Sequence, residues 1–226
     1  LILCLIFLIV AYPVYFVILA SVSDAQYVNS GTLLLWPKGF HLSGYRYVLK
    51  EERIWVGYAN TILYASAGTL LGLFASLLAG YSLATPTLPG RKGIMAIMVF
   101  TMYFSGGLIP SYLIVKQLGL LDTRTIMIIL GSVSVYNIIL IRTFFLNTIP
   151  KELQEAASID GCGYGRFFMQ IALPLSKAII AVIALYLVVG YWNSYFTALI
   201  YLQDNSKKPL QLFLREILLV STESMK

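Results

Sequence analysis

The sequence predicts an all-α fold, a polytopic transmembrane helical bundle. Of its 226 residues, 59% are hydrophobic and only 12% are charged, whereas about 25% of the residues in a soluble domain are charged. The apolar residues fall into long stretches, and a hydrocarbon core about 30 Å thick requires roughly 20 helical residues to cross it. This composition excludes a disordered chain and disfavours a compact soluble enzyme.

Five apolar stretches are predicted to be membrane spans. The first, residues 1–23, is longer than the roughly 7–15 apolar residues of a secretory signal, so a span is favoured over a signal. A polar connection follows at residues 24–54, with a short helical pattern around Tyr45, Tyr47 and Val48. The other spans are predicted at residues 55–84, 93–116, 124–146 and 177–202.

Two spans contain glycine patterns that predict how they pack. Residues 93–116 are interrupted by Ser105-Gly106-Gly107 and by Pro110, and a broken helix is tolerated in a membrane only next to protein or a water-filled path. In residues 55–84, small side chains recur every three or four positions and allow another helix to approach closely; they are Gly68, Gly72, Ala75, Ala79 and Gly80.

Residues 147–176 form a polar loop with two predicted helices. Pro150 suits the first position of a helix, and Asp160-Gly161 ends it, because glycine tolerates a left-handed conformation. A second helix is predicted from Tyr164 to Leu173, closed by Pro174. The first helix has the composition of a docking surface, although a solvated loop remains an alternative; its apolar residues are Leu153, Ala156, Ala157 and Ile159, and its acidic ones Glu152, Glu155 and Asp160.

The spacing in this loop separates the two interpretations. Glu155-Ala156-Ala157, then three residues, then Gly161 with Asp160 before it, then nine residues and Ile171-x-Leu173-Pro174 resembles the loop of permease subunits in binding-protein-dependent ABC importers. The resemblance covers nearly the whole chain and is greatest to the carbohydrate branch, in particular the maltose-permease-like second subunit. Two further segments, residues 104–110 and 209–216, are similar to permeases for oligosaccharides or polysaccharide fragments.

The resemblance implies a type I importer permease with six spans and both ends in the cytoplasm. Residues 24–54 are then extracytoplasmic, residues 55–226 are a transmembrane domain truncated before its last span, and residues 147–176 are the cytoplasmic coupling loop. The count of Lys and Arg in the loops does not give this orientation by itself. A multi-pass protein of the bacterial plasma (inner) membrane is expected.

The resemblance also implies partners. The chain contains no G-x-x-x-x-G-K-[S/T] motif, which would hold nucleotide phosphates, so no cofactor is expected in this chain, and ATP and Mg are expected in a partner ATPase dimer. A second permease subunit of different sequence, an extracytoplasmic sugar-binding protein facing residues 24–54 and 203–226, and membrane lipid are also expected. The net charge of +6 is attributed to loops at the membrane surface rather than to nucleic-acid binding.

Two sets of site residues are predicted. In the coupling loop, Glu155 and Asp160 make polar contacts with the ATPase, Ala156, Ala157 and Gly161 permit the fit, and Ile171, Leu173 and Pro174 complete the motif. A substrate path is predicted at Tyr191, Trp192, Asn193 and Ser105, because aromatic faces and amides bind sugars; an interfacial aromatic belt is the alternative for the rings. Asn60 and Asn137 are further polar residues near spans.

Other functions remain open at this stage. The loop motif alone does not separate a carbohydrate permease from importer branches for amino acids, phosphate or metal ions. A secondary carrier is less favoured, because the sequence has no internal repeat and no acidic residue inside a span. No catalytic set and no metal site are predicted, since His41 has no nearby Asp or Cys, and Cys4 and Cys162 lie in different surroundings.

Overall fold

The computed structural model describes residues 2–31 and 35–223, and all the regular secondary structure in these ranges is helical. The predicted all-α class is therefore confirmed. The chain divides into two compact units, one up to Trp55 and the other from Val56 onward.

The first unit contains one long apolar helix and two short ones. Helix α1 (Ile2–Ser21) includes Pro13, which a membrane helix tolerates better than a soluble one. Asp24 precedes α2 (Ala25–Asn29), and its carboxylate accepts the N–H of Gln26 at 2.9 Å. The short helical pattern predicted around Tyr45 is present as α3 (Ser43–Lys50).

Helix α4 (Glu52–Ala84) begins in the first unit and is the longest helix of the second. After it come α5 (Arg91–Tyr103), α6 (Leu108–Gln117), α7 (Arg124–Ile129), α8 (Val135–Thr148), α9 (Lys151–Ile159), α10 (Tyr164–Phe167), a π-helical turn (Phe168–Ala172), α11 (Leu173–Leu175), α12 (Lys177–Trp192), α13 (Tyr195–Tyr201), a 3₁₀ turn (Asn205–Lys207) and α14 (Leu210–Glu223).

Only two of the predicted spans are continuous helices in the part of the chain that the structure describes. Helices α1 and α4 are each long and apolar enough to cross a membrane, and two bent helix pairs raise the number of candidate crossings to at most four. The break predicted in the third span is confirmed, because α5 and α6 meet at 112° across residues 104–107. Gly107 has φ +85° there, a conformation that favours glycine.

The fourth and fifth spans, predicted as uninterrupted stretches, are broken. Residues 130–134 separate α7 from α8, with Gly131 at φ +86°. Asn193 and Ser194 separate α12 from α13, where the side chain of Ser194 donates to the carbonyl of Tyr191 at 2.7 Å. The physical reason is that short polar side chains and left-handed glycine compete with helical backbone hydrogen bonding, which apolar periodicity alone does not reveal.

The close packing predicted for α4 is confirmed at three of its glycines. A Cβ on Gly68 would clash with the ring of Tyr191, one on Gly72 with the carbonyl oxygen of Ser132, and one on Gly80 would lie 2.9 Å from Cβ of Ile141. These contacts let α4 lie directly against the α7–α8 connection, α8 and α12.

Two clusters of buried side chains hold the second unit together. One surrounds Tyr64, Met127 and Tyr191 and includes residues of α13 and α14. The other surrounds Phe145, Phe168 and Ile183 and joins α4, α8 and α12 to the segment around α9 and α10. The second cluster therefore packs the segment predicted to be the coupling loop against α4, α8 and α12.

Candidate functional site

The first helix of the predicted coupling loop is α9, and its end is fixed by backbone geometry. The N–H of Cys162 donates to the carbonyl of Ala157 at 2.8 Å, and the N–H of Gly161 donates to the carbonyl of Ser158 at 3.1 Å. This pair of bonds is the Schellman arrangement, which requires a left-handed residue after the helix. Gly161 supplies it, with φ +75°.

The start of α9 differs slightly from the expectation. Pro150 is the residue before the helix, with extended backbone at φ −61° and ψ +141°, rather than its first helical residue. Its fixed φ still suits the turn into the helix. Glu152 lies in the first turn, where a carboxylate interacts favourably with the helix dipole.

One side of α9 is left uncovered by the described part of the chain. Ile159 is 86% exposed and Leu153 is 36% exposed. Ala156, Glu155 and Asp160 are exposed beside them. The result is a small apolar surface bordered by carboxylates, which suits contact with an apolar and basic surface of another protein.

Ala157, predicted to permit the fit of the ATPase, lies on the buried side of α9. It is buried in the same cluster as Phe145, Phe167 and Ile183, because it lies on the side of α9 that faces the chain's own core. The small side chain thus permits close approach of α9 to its own protein, whereas Ala156 is free to contact a partner.

The second half of the motif is also structural. Ile171 and Leu173 pack against the buried cluster, and Pro174 is exposed. The helix does not end at Leu173 as predicted but continues through the π-helical turn into α11, and the chain bends by 80° before α12. The hydroxyl of Ser176 donates to the carbonyl of Ala172 at 2.6 Å and fills this bend.

Tyr81 of α4 connects the coupling loop to the spans. Its hydroxyl donates to the carbonyl of Tyr164 at 3.2 Å, and its ring centroid lies 4.8 Å from that of Phe168 and 5.6 Å from that of Phe145. In addition, the hydroxyl of Thr87 donates to that of Tyr164 at 3.0 Å. Sequence analysis did not identify Tyr81, because no local pattern indicates that an aromatic residue near the end of a span meets a loop some 80 residues later.

A groove of about 350 Å³ lies between α9 and the segment that follows α4. Lys151, Gln154, Glu155 and Ser158 line it from α9, and Thr87 lines it from the other side. Glu155 is therefore accessible both from this groove and from the exposed surface of α9.

The structure separates the residues predicted to line a substrate path. Tyr191 is buried, and its hydroxyl donates to the carbonyl of Ile128 at 2.6 Å. Asn193 is exposed, and its amide donates to the carbonyl of Val189 in its own helix at 2.9 Å. Only Tyr191 of the predicted set borders the cavity between α8 and α12.

The other two predicted path residues lie elsewhere. Trp192 is 36% exposed and contacts the ring of Tyr58 edge-on, with centroids 6.3 Å apart. Ser105 is exposed in the break between α5 and α6. The four residues do not form one site in this chain, so a path that includes all of them stays a prediction.

Asn60 serves a structural role at the opposite end of α4. Its amide donates to the carbonyl of Ser206 at 2.8 Å and to that of Lys208 at 3.1 Å. The hydroxyl of Tyr64 donates to the carbonyl of Lys207 at 2.7 Å. These bonds fix the segment before α14 on α4.

Asp122 completes the attachment of this segment. Its carboxylate accepts the backbone N–H groups of Asp204 and Gln203, each at 3.1 Å, and lies 3.2 Å from the ammonium of Lys207. The backbone donors, together with Lys207, lower the pKa of Asp122. The hydrogen bond to Asp122 raises the pKa of Lys207 in turn. We refer to Asp122, Asp204 and Lys207 as the outer clasp.

Comparison with known proteins decides the family. A family model described as the binding-protein-dependent transport system inner membrane component matches residues 54–219. The chain belongs to this family. The family consists of inner membrane components of binding-protein-dependent transport systems, so the prediction of a transport permease is confirmed. Membership also agrees with a location in a membrane.

Individual relatives of this family are similar over most of the chain. The polygalacturonan/rhamnogalacturonan transport system permease protein YtcP of Bacillus subtilis is 41% identical over 215 residues, covering 95% of this chain and 75% of that protein. Protein LplC of the same organism is 39% identical over 209 residues, covering 92% of this chain and 70% of that protein.

A solved structure supports the same assignment. A chain from the crystal structure of a bacterial ABC transporter involved in the import of the acidic polysaccharide alginate superimposes with a TM-score of 0.92 at 34% sequence identity. The match covers 95% of this chain and 76% of that one. The expected fold of an importer permease is thereby confirmed.

Proposed function

We propose that this chain is one permease subunit of an ATP-driven carbohydrate importer in the bacterial plasma membrane. Together with a second permease subunit it forms the path for the sugar, which an extracytoplasmic binding protein delivers. A separate ATPase dimer uses ATP and Mg and drives the movement. The observation that carries the proposal is the exposed surface of α9, held to the spans through Tyr81 and Phe168.

The coupling follows from the rigidity of this arrangement. Ile159 and Leu153 are exposed apolar residues beside Glu155 and Asp160, a composition that suits a pocket with basic residues on the ATPase. The buried side of α9 packs into the cluster that contains Phe145 and Ile183. A displacement of α9 by the ATPase is therefore passed to α4, α8 and α12 as a rigid-body movement.

For the substrate, we propose an oligosaccharide derived from an acidic polysaccharide. Two similar proteins support this class: one is named for polygalacturonan and rhamnogalacturonan, and the other belongs to an importer of alginate. More distant relatives are named for other cargo, such as melibiose, raffinose and stachyose in Bacillus subtilis, at 28% identity, or sn-glycerol-3-phosphate in Agrobacterium fabrum, at 31%. Raffinose and sn-glycerol-3-phosphate therefore serve as the alternative substrates in the uptake experiment.

The substrate proposal is tested by uptake into cells. A strain lacking this gene, with and without the gene restored, is given labelled galacturonate oligosaccharides, alginate oligosaccharides, raffinose and sn-glycerol-3-phosphate. We expect uptake of an acidic oligosaccharide to disappear with the gene and to return with it. Loss of glycerol-phosphate uptake alone contradicts the carbohydrate assignment, and loss of raffinose uptake alone contradicts the acidic class.

The partner proposal is tested on the purified complex. Ile159→Asp places a charge on the exposed apolar surface of α9, and we expect less ATPase subunit to co-purify with the permease. Ile159→Leu keeps the surface apolar and serves as the matched control. Equal recovery of the ATPase with both variants would show that α9 is not the docking helix.

A further inference from the structure

We propose that a cavity between α8, α12 and α13 binds hydroxyl groups of the passing carbohydrate, with the side chain of Asn137 as its central hydrogen-bonding group. The cavity has a volume of about 340 Å³. Its polar lining comes from Ser134, Asn137, Tyr186, Tyr191, Ser194 and Thr197. The proposal rests on the proposed function, because it assigns a contact within the path of that importer.

Asn137 differs from the other span asparagines in having its amide unused. It is 6% exposed, and within residues 2–31 and 35–223 its side chain makes no hydrogen bond. In contrast, the amide of Asn60 donates hydrogen bonds to two carbonyl groups, and the amide of Asn193 donates to one. A carboxamide offers two donors and an acceptor, and the amide of Asn137 keeps access to the cavity, where water or a ligand can supply its partners.

The cavity lies deep along both of its main helices. Asn137 is eleven residues before the end of α8 at Thr148, which corresponds to about 16 Å along the axis. Tyr186 is nine residues after the start of α12 at Lys177, or about 14 Å. Along both helices the cavity therefore lies about 14–16 Å from the end that joins residues 147–176.

Two interruptions of the helices border this cavity. Leu130, Gly131 and Ser134 come from the break between α7 and α8, and Ser194 comes from the break between α12 and α13. Non-helical backbone at membrane depth occurs where it faces protein or a water-filled path, and in transporters discontinuous helices form substrate sites. The position of both breaks at one cavity thus favours a path over lipid contact.

The side chains that line the cavity suit the hydroxyl groups of a ligand rather than its charged groups. No Lys, Arg, Asp, Glu or His is among the residues that line the cavity. Carboxamide and hydroxyl side chains, beside the ring of Tyr186, match the hydroxyl edge and C–H face of a sugar unit. A carboxylate of an acidic sugar therefore finds its counter-charge outside this cavity.

Occupancy of the cavity by sugar is measured as a decrease in the labelling rate of a cysteine placed in the cavity. Thr197→Cys is introduced together with Cys4→Ser and Cys162→Ser, which remove the native cysteines, into the complete importer with its ATPase and binding protein. Labelling by a small water-soluble thiol reagent is followed with and without a galacturonate oligosaccharide. We expect labelling without sugar and at least several-fold slower labelling with it. Asn205→Cys, at an exposed position of the 3₁₀ turn outside the cavity, controls for general conformational change.

The role of Asn137 is measured in the same background. Asn137→Ala is expected to raise the sugar concentration for half-protection of the Thr197→Cys variant roughly 3- to 10-fold, the loss of one or two neutral hydrogen bonds. Thr143→Ala, at an exposed position of α8 outside the cavity, leaves it unchanged. Normal complex assembly shows that the Asn137→Ala protein has folded, and Asn137→Gln, which retains the amide, is expected to restore part of the affinity.

The possible failures are distinguishable. If the importer takes up the oligosaccharide but Thr197→Cys is unreactive, the cavity is filled by the second permease subunit, and the proposal is overturned. Labelling that sugar does not slow shows a water-filled space without sugar, and overturns it as well. If no carbohydrate is taken up at all, the proposed function fails, and the cavity proposal fails with it.

Discussion

The hydroxyl of Tyr81, near the end of α4, donates to the backbone carbonyl of Tyr164, the first residue of α10, across 3.2 Å. The same ring packs against Phe168 of the π-helical turn and Phe145 of α8. Tyr81 is therefore one side chain at which the long span α4 contacts both the predicted coupling loop and α8. Movement of α9 is therefore expected to displace this aromatic group.

Substitution of Tyr81 separates ring packing from the hydrogen bond. Tyr81→Phe removes only the bond, worth about 0.5–1.5 kcal/mol, and we expect a modest decrease in sugar transported per ATP hydrolysed. Tyr81→Ala also removes the ring, and we expect transport to fall at least several-fold while ATP hydrolysis continues. The measurement is the transport-to-hydrolysis ratio of the complex in liposomes.

Tyr103→Phe is the matched control for Tyr81, because Tyr103 is 75% exposed at the end of α5. A Tyr81→Ala complex with an unchanged ratio would show that the aromatic cluster does not transmit the movement.

Substitution of Gly161 tests the end of α9. The left-handed conformation costs an ordinary residue roughly 1–2 kcal/mol, and nothing lies within 4 Å of an added Cβ, so the cost is conformational and not steric. We expect Gly161→Ala to weaken co-purification of the ATPase and Gly161→Asn to be tolerated better, since asparagine adopts this conformation more readily. Equal effects of the two variants would indicate steric exclusion by the partner instead.

Substitution of Gly68 tests the packing of α4 on α12. Gly68→Ala places a methyl group into the ring of Tyr191, and overpacking of this kind costs about 1–3 kcal/mol. We expect a lower thermal unfolding midpoint for the purified permease in detergent. Gly93→Ala, in α5 with open space around the added methyl group, is the control and is expected not to lower it. A shift of the same size in both variants would contradict the packing argument.

The outer clasp predicts a pH dependence. Since the pKa of Asp122 is lowered by the backbone N–H groups of Asp204 and Gln203 and by Lys207, its contribution to stability is full above the ordinary carboxyl pKa and is lost as the pH falls through the lowered value. The pKa of Lys207 is raised, so its contribution is full below the ordinary lysine pKa and is lost as the pH rises through the raised value.

Asp122→Asn measures this contribution. Asparagine tolerates the φ of +53° at this position, so the substitution removes charge without new backbone strain. We expect a small decrease in the unfolding midpoint between about pH 5 and pH 9, which shrinks at acidic pH, where the wild-type carboxylate is protonated. A difference that persists undiminished well below the ordinary carboxyl pKa would show that the clasp is not electrostatic.

The sequence alone determined the fold class, the family and the local backbone structure at the end of α9. Long apolar stretches specify membrane helices because the lipid core leaves the backbone no other partners. Gly161 was predictable as a helix end, and the structure confirms its left-handed conformation, since that requirement is local to a few residues. The small residues of α4 were predictable as a packing surface for a related reason: their size and spacing are written in the sequence.

Only the tertiary structure decided which side chains face a partner, the core or a cavity. It placed Ala157 in the core and Ile159 on the surface, although both belong to the same short helix. In the folded chain the amide of Asn60 donates to the distant carbonyl of Ser206, whereas Asn137 lines a cavity. These outcomes depend on contacts between residues far apart in the chain, and the pattern of any single segment carries no information about the neighbours that complete it.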